Sequence, residues 1–325
     1  MSILLLSCGT RSKLVQYFKK ELRAPSLVVT ADCSHYAPAL YEGDIHHVIP
    51  RVDEAGYLDT VFEICREHEI KGVVSLVDPE LTIIAKHRMD FLKIGALPII
   101  SDEVVVELCQ DKHLMYNFLN NDGIKTPRSY VDKEQFFAAV RESQISYPVV
   151  IKPIRGSASV NLSIATSDEE VVLQFDKHEN MMIQQHVDGT EFGIDSYIDM
   201  DSGELVALFA KKKLRMREGE TEKSVSVKSS KIMDLITKLT TKLNLRGVID
   251  VDMILHCGDY YILEVNPRFG GGYPHAYECG VNIPKMIVNN MNKQQNMRTM
   301  DGYDESVVMM KYYEVRMLKD GRSNG

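Results

Sequence analysis

The stretch 261–272, YILEVNPRFGGG, constrains this chain more than any other. A strand-like run sets Glu264, Asn266 and Arg268 at every second position and then breaks into three consecutive glycines. Alternate side chains of a strand share a face. A carboxylate, an amide and a guanidinium therefore line up at the strand's end, a poor surface for a core and a good one for a metal-bound phosphate. The run before it, VIDVDMILH, carries Asp250 and Asp252 at the same spacing, and Gly258-Asp259 between the two is a turn signal. A hairpin centred on Gly258 sets Asp252 opposite Glu264 and Asp250 opposite Asn266, on one face with Arg268. Carboxylates that close repel one another without a cation between them, and oxygen donors suit a hard ion such as Mg²⁺. A solvated charged face is the competing reading, and a slip of one residue would turn the set to the other side.

Residues 1–110 alternate strand and helix signals, which predicts a parallel α/β sheet. ILLLSC, SLVVTAD, HHVIP, GVVSLV and ALPII read as strands. Between them, Leu14, Val15, Phe18 and Leu22 mark one helix face, and Tyr57–Glu69 forms another helix. Asp78-Pro79-Glu80 opens a third, with proline in the first turn. Glu80 reads either as an acid favoured by the helix dipole or as a group facing substrate. SCGTRSK lacks G-x-G-x-x-G and reads as a plain turn. Helices at Asp102–Cys109 and Asp111–Asn120 follow, closed by Gly123, and from Pro148 the texture is β, with helices at Asp168–Phe175 and Lys231–Asn244.

The net charge of −8 argues against a nucleic-acid backbone as partner. No run approaches the length of a membrane span. MSILLLSCGT is too short and uncharged for a signal peptide and reads as the first strand. The six cysteines show no C-x-x-C pair, which predicts reduced thiols in a cytoplasmic protein.

Two further elements bear on phosphate. In PVVIKPIRGSASVNLSI a buried strand delivers Lys152 and then a small loop, Gly156-Ser157-Ala158-Ser159, whose backbone N–H groups can approach phosphate oxygens. By itself it also reads as a hairpin. QQHVDGTEFGID ends one strand at Val187, turns at Gly189 and starts the next with Glu191.

In this order the three elements resemble the ATP-grasp superfamily over most of the chain, with stand-alone relatives similar to the carbamoyl-phosphate synthase large subunit and amino-acid ligases. EVNPR followed by glycines is the most specific motif. The resemblance implies an N-terminal α/β pre-ATP-grasp domain (residues 1–110), then an α+β ATP-grasp fold whose lid subdomain (111–187) and C-terminal subdomain (188–325) clasp ATP. It implies that Lys112 and Lys152 reach the phosphates and that Gly156, Ser157 and Ser159 belong to a lid over them. Gln185, His186 and Val187 would form the hinge around adenine, although the family usually carries an acid where this chain has Gln185. Glu191 would hold the ribose, Asp252, Glu264 and Asn266 the magnesium, with Mn²⁺ an allowed substitute, and Arg268 the transferred phosphoryl group.

The implied chemistry is amide formation on small molecules, with an amino acid as a candidate. ATP turns a carboxylate into an acyl phosphate, and an amine displaces phosphate. Carbamoyl-phosphate-synthase-like phosphorylation of bicarbonate or carbamate is the alternative, and a non-catalytic nucleotide-binding subunit a third reading. For substrate recognition, AKKKLRMREGETEKS places Lys211, Lys213, Arg215 and Arg217 on one strand face. Arg217 with Lys213 would clamp a carboxylate, Glu220 would meet an amino group, and His275 and Tyr273 are further pocket candidates. A lysine-protected edge strand is the competing reading. A homodimer is compatible with this sequence.

Overall fold

The computed structural model describes residues 2–156, 160–217 and 219–318. The chain opens with β1 (Ser2–Leu6), buried at every position, as a strand covered on both faces must be. It continues through α1 (Ser12–Glu21), β2 (Val28–Asp32), β3 (Ile45–Val48), α2 (Tyr57–Glu67), β4 (Ile70–Ser75), α3 (Asp78–Lys86), α4 (Arg88–Lys93) and β5 (Leu97–Pro98). These strands form a parallel sheet in the order β3-β2-β1-β4-β5. The chain leaves β1 toward one edge and β4 toward the other. The loops after those two strands therefore flank a topological switch point, where open α/β sheets leave a crevice.

Helices α5 (Glu103–Gln110) and α6 (Lys112–Asn121) lead into a four-stranded antiparallel sheet, β6-β9-β7-β8. Its elements are β6 (Ser129–Tyr130), α7 (Lys133–Arg141), β7 (Val149–Pro153), β8 (Ser163–Ala165), α8 (Asp168–Phe175) and β9 (Met181–Gln185). The third sheet, β14-β13-β10-β11-β12-β15, comprises β10 (Thr190–Ile198), β11 (Leu205–Arg217), β12 (Glu220–Val227), β13 (Gly247–His256), β14 (Asp259–Asn266) and β15 (Val308–Met310). Helix α9 (Ser230–Leu243) buries Ile232, Ile236, Leu239 and Leu243 against Ile194, Ile249, Val251, Met253 and Val265 of that sheet. Residues of the other parity, Asp250 and Asp252 among them, face the opposite way. Helices α10 (Tyr273–Glu278) and α11 (Ile283–Met291) pack back on α1: Tyr17 stacks on Tyr277 at 3.7 Å and donates to Glu278. Tyr273, Ile283 and Ile287 enter one core with Ile3, Leu5 and Phe18.

The β13–β14 register pairs Asp250 with Asn266 and Asp252 with Glu264, as the sequence predicts, but by a different route. The turn is the two-residue Cys257-Gly258, both at positive φ (48° and 86°), closed by His256 opposite Asp259. That centre alone would set Asp252 opposite Leu263. A bulge at Leu263 takes up one residue and restores the acid pair. The edge-strand reading of β11 is corrected: β12 covers its other side, so β11 is interior and Lys211 is 1% exposed.

Candidate active site

The site floor is one row of the third sheet, Glu264–Asp252–Gly193–Lys211, each residue paired with the next across neighbouring strands. Opposed carboxylates at such spacing repel by about 3 kcal/mol at an effective dielectric of 20, and two lysines offset this. Lys213 Nζ lies 2.6 Å from Asp252 Oδ1 and 3.7 Å from Glu191 Oε2, while Lys112 Nζ lies 3.3 Å from Glu264 Oε1. Burial would lower the Lys213 ammonium, but Asp252, Asp250 and Glu191 outweigh it and raise its pKa. Gly193 leaves the gap these side chains cross, since a Cβ there would stand 3.2 Å from Lys211 Cε and 3.4 Å from Lys213 Cε. Beside them Lys211 is paired with Asp195, both buried, and burial raises the Asp195 carboxyl.

The three glycines after Arg268 have a steric cause. A Cβ on Gly270 would lie 2.4 Å from the Asp250 carboxyl carbon, one on Gly271 2.6 Å from that of Glu220, and one on Gly272 2.7 Å from Lys211 Cε. Real side chains do not approach so closely. The run is bare because three charged groups lie against it.

Facing this floor, Lys152 projects from β7. Burial, then Lys112, lowers its ammonium to about 8, against the opposing pull of Glu264 and Asp252. Asp111 caps α6 by accepting from the N–H groups of His113 and Leu114, which fixes Lys112 in the first turn. Lys112 also donates to the Gly156 carbonyl. Ser157 and Ser159, the predicted lid serines, lie outside the described residues. Gln185 ends β9, with its N–H on the Arg128 carbonyl at 2.8 Å. His186 and Val187 follow in the connection to β10, where a Cβ on Gly189 would stand 2.3 Å from the Leu255 carbonyl oxygen.

The N-terminal sheet supplies two residues that sequence reasoning missed. Asp78, after β4, accepts from Arg268 Nε at 2.6 Å and Nη2 at 2.9 Å. Arg11, after β1, lies 3.1 Å from Glu220. Both leave the carboxyl ends of strands at the switch point, the one signal that SCGTRSK and DPE could have offered.

The predicted substrate residues do not stay together. Lys213 joins Asp252 and Glu191. Past a register break at Leu214, Arg217 pairs with Glu222 at 3.6 Å and lies over the Tyr313 ring at 4.8 Å. His275 is 2% exposed, with Nδ1 on Ser224 Oγ and Nε2 on the Val307 carbonyl, and Tyr273 is a buried core residue. Glu80 is fully buried, where Ser7 and Tyr57 donate to its Oε1. Glu220 stands at the cleft beside Arg11 and Lys311.

Among the described residues, no group of three or more His, Cys, Asp or Glu is arranged to hold a metal unaided. Asp252, Glu264 and Asn266 still fit Mg²⁺ as a partial shell: their oxygens are hard donors, and the other positions would fall to phosphate. The model of the ATP-grasp domain matches residues 109–272, half of the chain. The chain belongs to the ATP-grasp family. Ahead of the ATP-grasp domain, residues 3–100 match the PylC-like N-terminal domain. The ATP-grasp chain is 25% identical over 247 residues to the carbamoyl phosphate synthase large chain of Lachnoclostridium phytofermentans, covering 69% of itself but 23% of that protein. It thus spans less than a quarter of that relative's length. To the D-alanine–D-alanine ligase of Thermotoga sp. (strain RQ2) it is 25% identical over 244 residues, 66% of this chain and 78% of that one. Its fold matches the crystal structure of an L-amino acid ligase from Bacillus licheniformis with TM-score 0.69 at 19% identity, over 91% of this chain and 75% of that one. No helix among the described residues is long and apolar enough to cross a membrane.

Proposed function

We propose that the chain is an ADP-forming ligase that joins a small-molecule carboxylate to an amine at the expense of ATP. The observation that carries this reading is the single face on which Asp252, Glu264 and Asn266 stand together, opposed by Lys112 and Lys152 from the elements across the cleft. Lys152, Lys112 and the Gly156 turn would hold the triphosphate, and Glu191 with residues 185–187 the nucleoside. Asp252, Glu264 and Asn266 would hold Mg²⁺, which when bound neutralises charge on the phosphates. On binding, Lys112, now resting on Glu264, would exchange that carboxylate for phosphate oxygens. Arg268, oriented by Asp78 and by the Phe269 carbonyl, would offer its remaining N–H groups to the transferring group. Phosphoryl transfer needs this positioning and charge stabilisation more than covalent help. A carboxylate oxygen attacks the γ-phosphorus and ADP leaves. The amine then attacks the acyl phosphate carbon, the C–N bond forms, phosphate leaves with the acyl C–O bond electrons, and the nitrogen releases a proton to water.

The test is ADP release with Mg²⁺, ATP and pools of carboxylates and amines, bicarbonate with ammonia included. Substrate-dependent ADP with an amide product supports the ligase. Carbamoyl phosphate as product would replace it with the synthase-like reaction, and nucleotide binding without turnover in any pool with a nucleotide-binding subunit.

A further inference from the structure

Of the two residues that the switch-point loops bring to the cleft, Asp78 is committed to Arg268 and Arg11 is not. Among the described residues the Arg11 guanidinium donates no well-aligned hydrogen bond, and its one carboxylate neighbour within 4 Å is Glu220, at 3.1 Å. Its backbone is nevertheless fixed. Ser7 donates to the buried Glu80, the Gly9 N–H donates to Asp32 at 2.8 Å, and the Arg11 N–H donates to the Cys8 carbonyl at 2.9 Å. A rigid loop thus presents a fork of donors whose one carboxylate neighbour within 4 Å, among the described residues, is Glu220.

Glu220 is the complement. It lies at the start of β12 with its side chain 41% exposed, 2.8 Å from Lys311, against Gly271. Burial would raise its carboxyl, but Arg11 and Lys311 outweigh this and hold it below the usual carboxylate range. Near the pair stand the cations Arg268 and Lys311 and the carboxyls Asp78 and Asp250. Groups of both signs suit a ligand that carries both charges. A zwitterion entering between Arg11 and Glu220 replaces one ion pair with two. A plain anion would leave Glu220 facing it, and a plain amine would leave Arg11 uncompensated.

We propose that Arg11 and Glu220 are the recognition pair for an amino acid substrate, Arg11 taking its carboxylate in fork geometry and Glu220 its ammonium. This rests on the ligase reading and names its substrate class. It replaces Arg217, which is held on Glu222, as the carboxylate anchor.

The experiment is calorimetric titration of the MgADP-loaded protein with the twenty common L-amino acids and their D-enantiomers, followed by the amide and the deaminated acid of the best binder. The wild type should bind at least one amino acid and prefer it to both analogues. Arg11→Gln should weaken that binding by about tenfold or more and remove the preference over the amide, and Glu220→Gln should remove the preference over the deaminated acid. Arg11→Lys should recover only part of the affinity. MgADP affinity unchanged in each variant certifies the fold. Amino acid binding that survives Arg11→Gln intact overturns the pair, as does a wild type that binds MgADP but no amino acid. A wild type that fails to bind MgADP removes the ligase reading itself, and the pair with it.

Discussion

Asp78 grips Arg268 through two charge-assisted bonds, 2.6 and 2.9 Å long, across 190 residues of sequence. This contact ties the first turn of α3 to the strand end that carries Asn266. Asp78→Asn should leave the fold intact and free the guanidinium to turn, lowering the rate of ADP release by about tenfold or more while changing MgADP affinity little. An unchanged rate would show that Arg268 needs no orienting partner.

Neutralising either carboxylate of the floor should act on metal dependence. Asp252→Asn and Glu264→Gln should each cut Mg²⁺-supported turnover by about a hundredfold or more, because several kcal/mol of charge stabilisation rest on the ion. Circular dichroism should be unchanged. Full activity in both variants would remove them as ligands.

Lys152 predicts a pH dependence. Its ammonium titrates near pH 8 in the unliganded protein rather than at its usual 10.5. Below pH 8 it is charged and ready for phosphate; above it, nucleotide binding must take up a proton, so MgADP affinity should fall by up to about tenfold per pH unit. Between about pH 8 and 10.5 the native state binds fewer protons than the unfolded chain, so the unliganded fold gains stability with rising pH in that window. Titrations from pH 7 to 9.5 check the affinity, and Lys152→Arg should flatten its slope.

His275 should shape acid stability rather than substrate affinity. Burial, then Lys211, lowers its imidazole to about 4 from 6.5. The native state therefore binds fewer protons than the unfolded chain between those values. Its contribution is complete above pH 6.5 and is lost as pH falls toward 4, amounting to at most about 3 kcal/mol. Urea unfolding at pH 7.5 and 5 should show a loss that His275→Gln reduces. An equal loss in the variant would exclude His275 as its source.

The glycine run predicts a graded cost. Gly271→Ala meets the tip of the half-exposed Glu220, which can move aside, so stability should change little. Gly270→Ala meets the Asp250 carboxyl, held on a short side chain in the middle of the sheet, and should cost about 1–3 kcal/mol. Equal unfolding midpoints for the two variants would contradict this steric account.

Much of the layout is legible in local pattern. Period-two alternation sets the acids on one face, and apolar runs such as ILLLSC mark the parallel strands. The acid pairing was readable even though Cys257-Gly258 is one residue shorter as a turn than a hairpin centred on Gly258 requires, because the bulge at Leu263 compensates. Such a bulge leaves no mark in the sequence. Lys211 looked like a solvated residue because its counterion, Asp195, comes from the neighbouring strand. Arg11 and Asp78 were hidden for the same reason at longer range: each sits in an ordinary turn, and only the packing of the first sheet on the third gives it a partner. Helices α4 and α10, six residues each, are too short for a period to show, while α7 and α11 are missed although each carries an apolar face.

Tyr273, Ile283 and Ile287 share their core with Ile3, Leu5 and Phe18. The opening hundred residues are therefore not a cartridge that could be exchanged for the corresponding piece of a relative. A chimera joined near residue 100 would set a foreign α1 against Tyr277 and a foreign loop against Glu220.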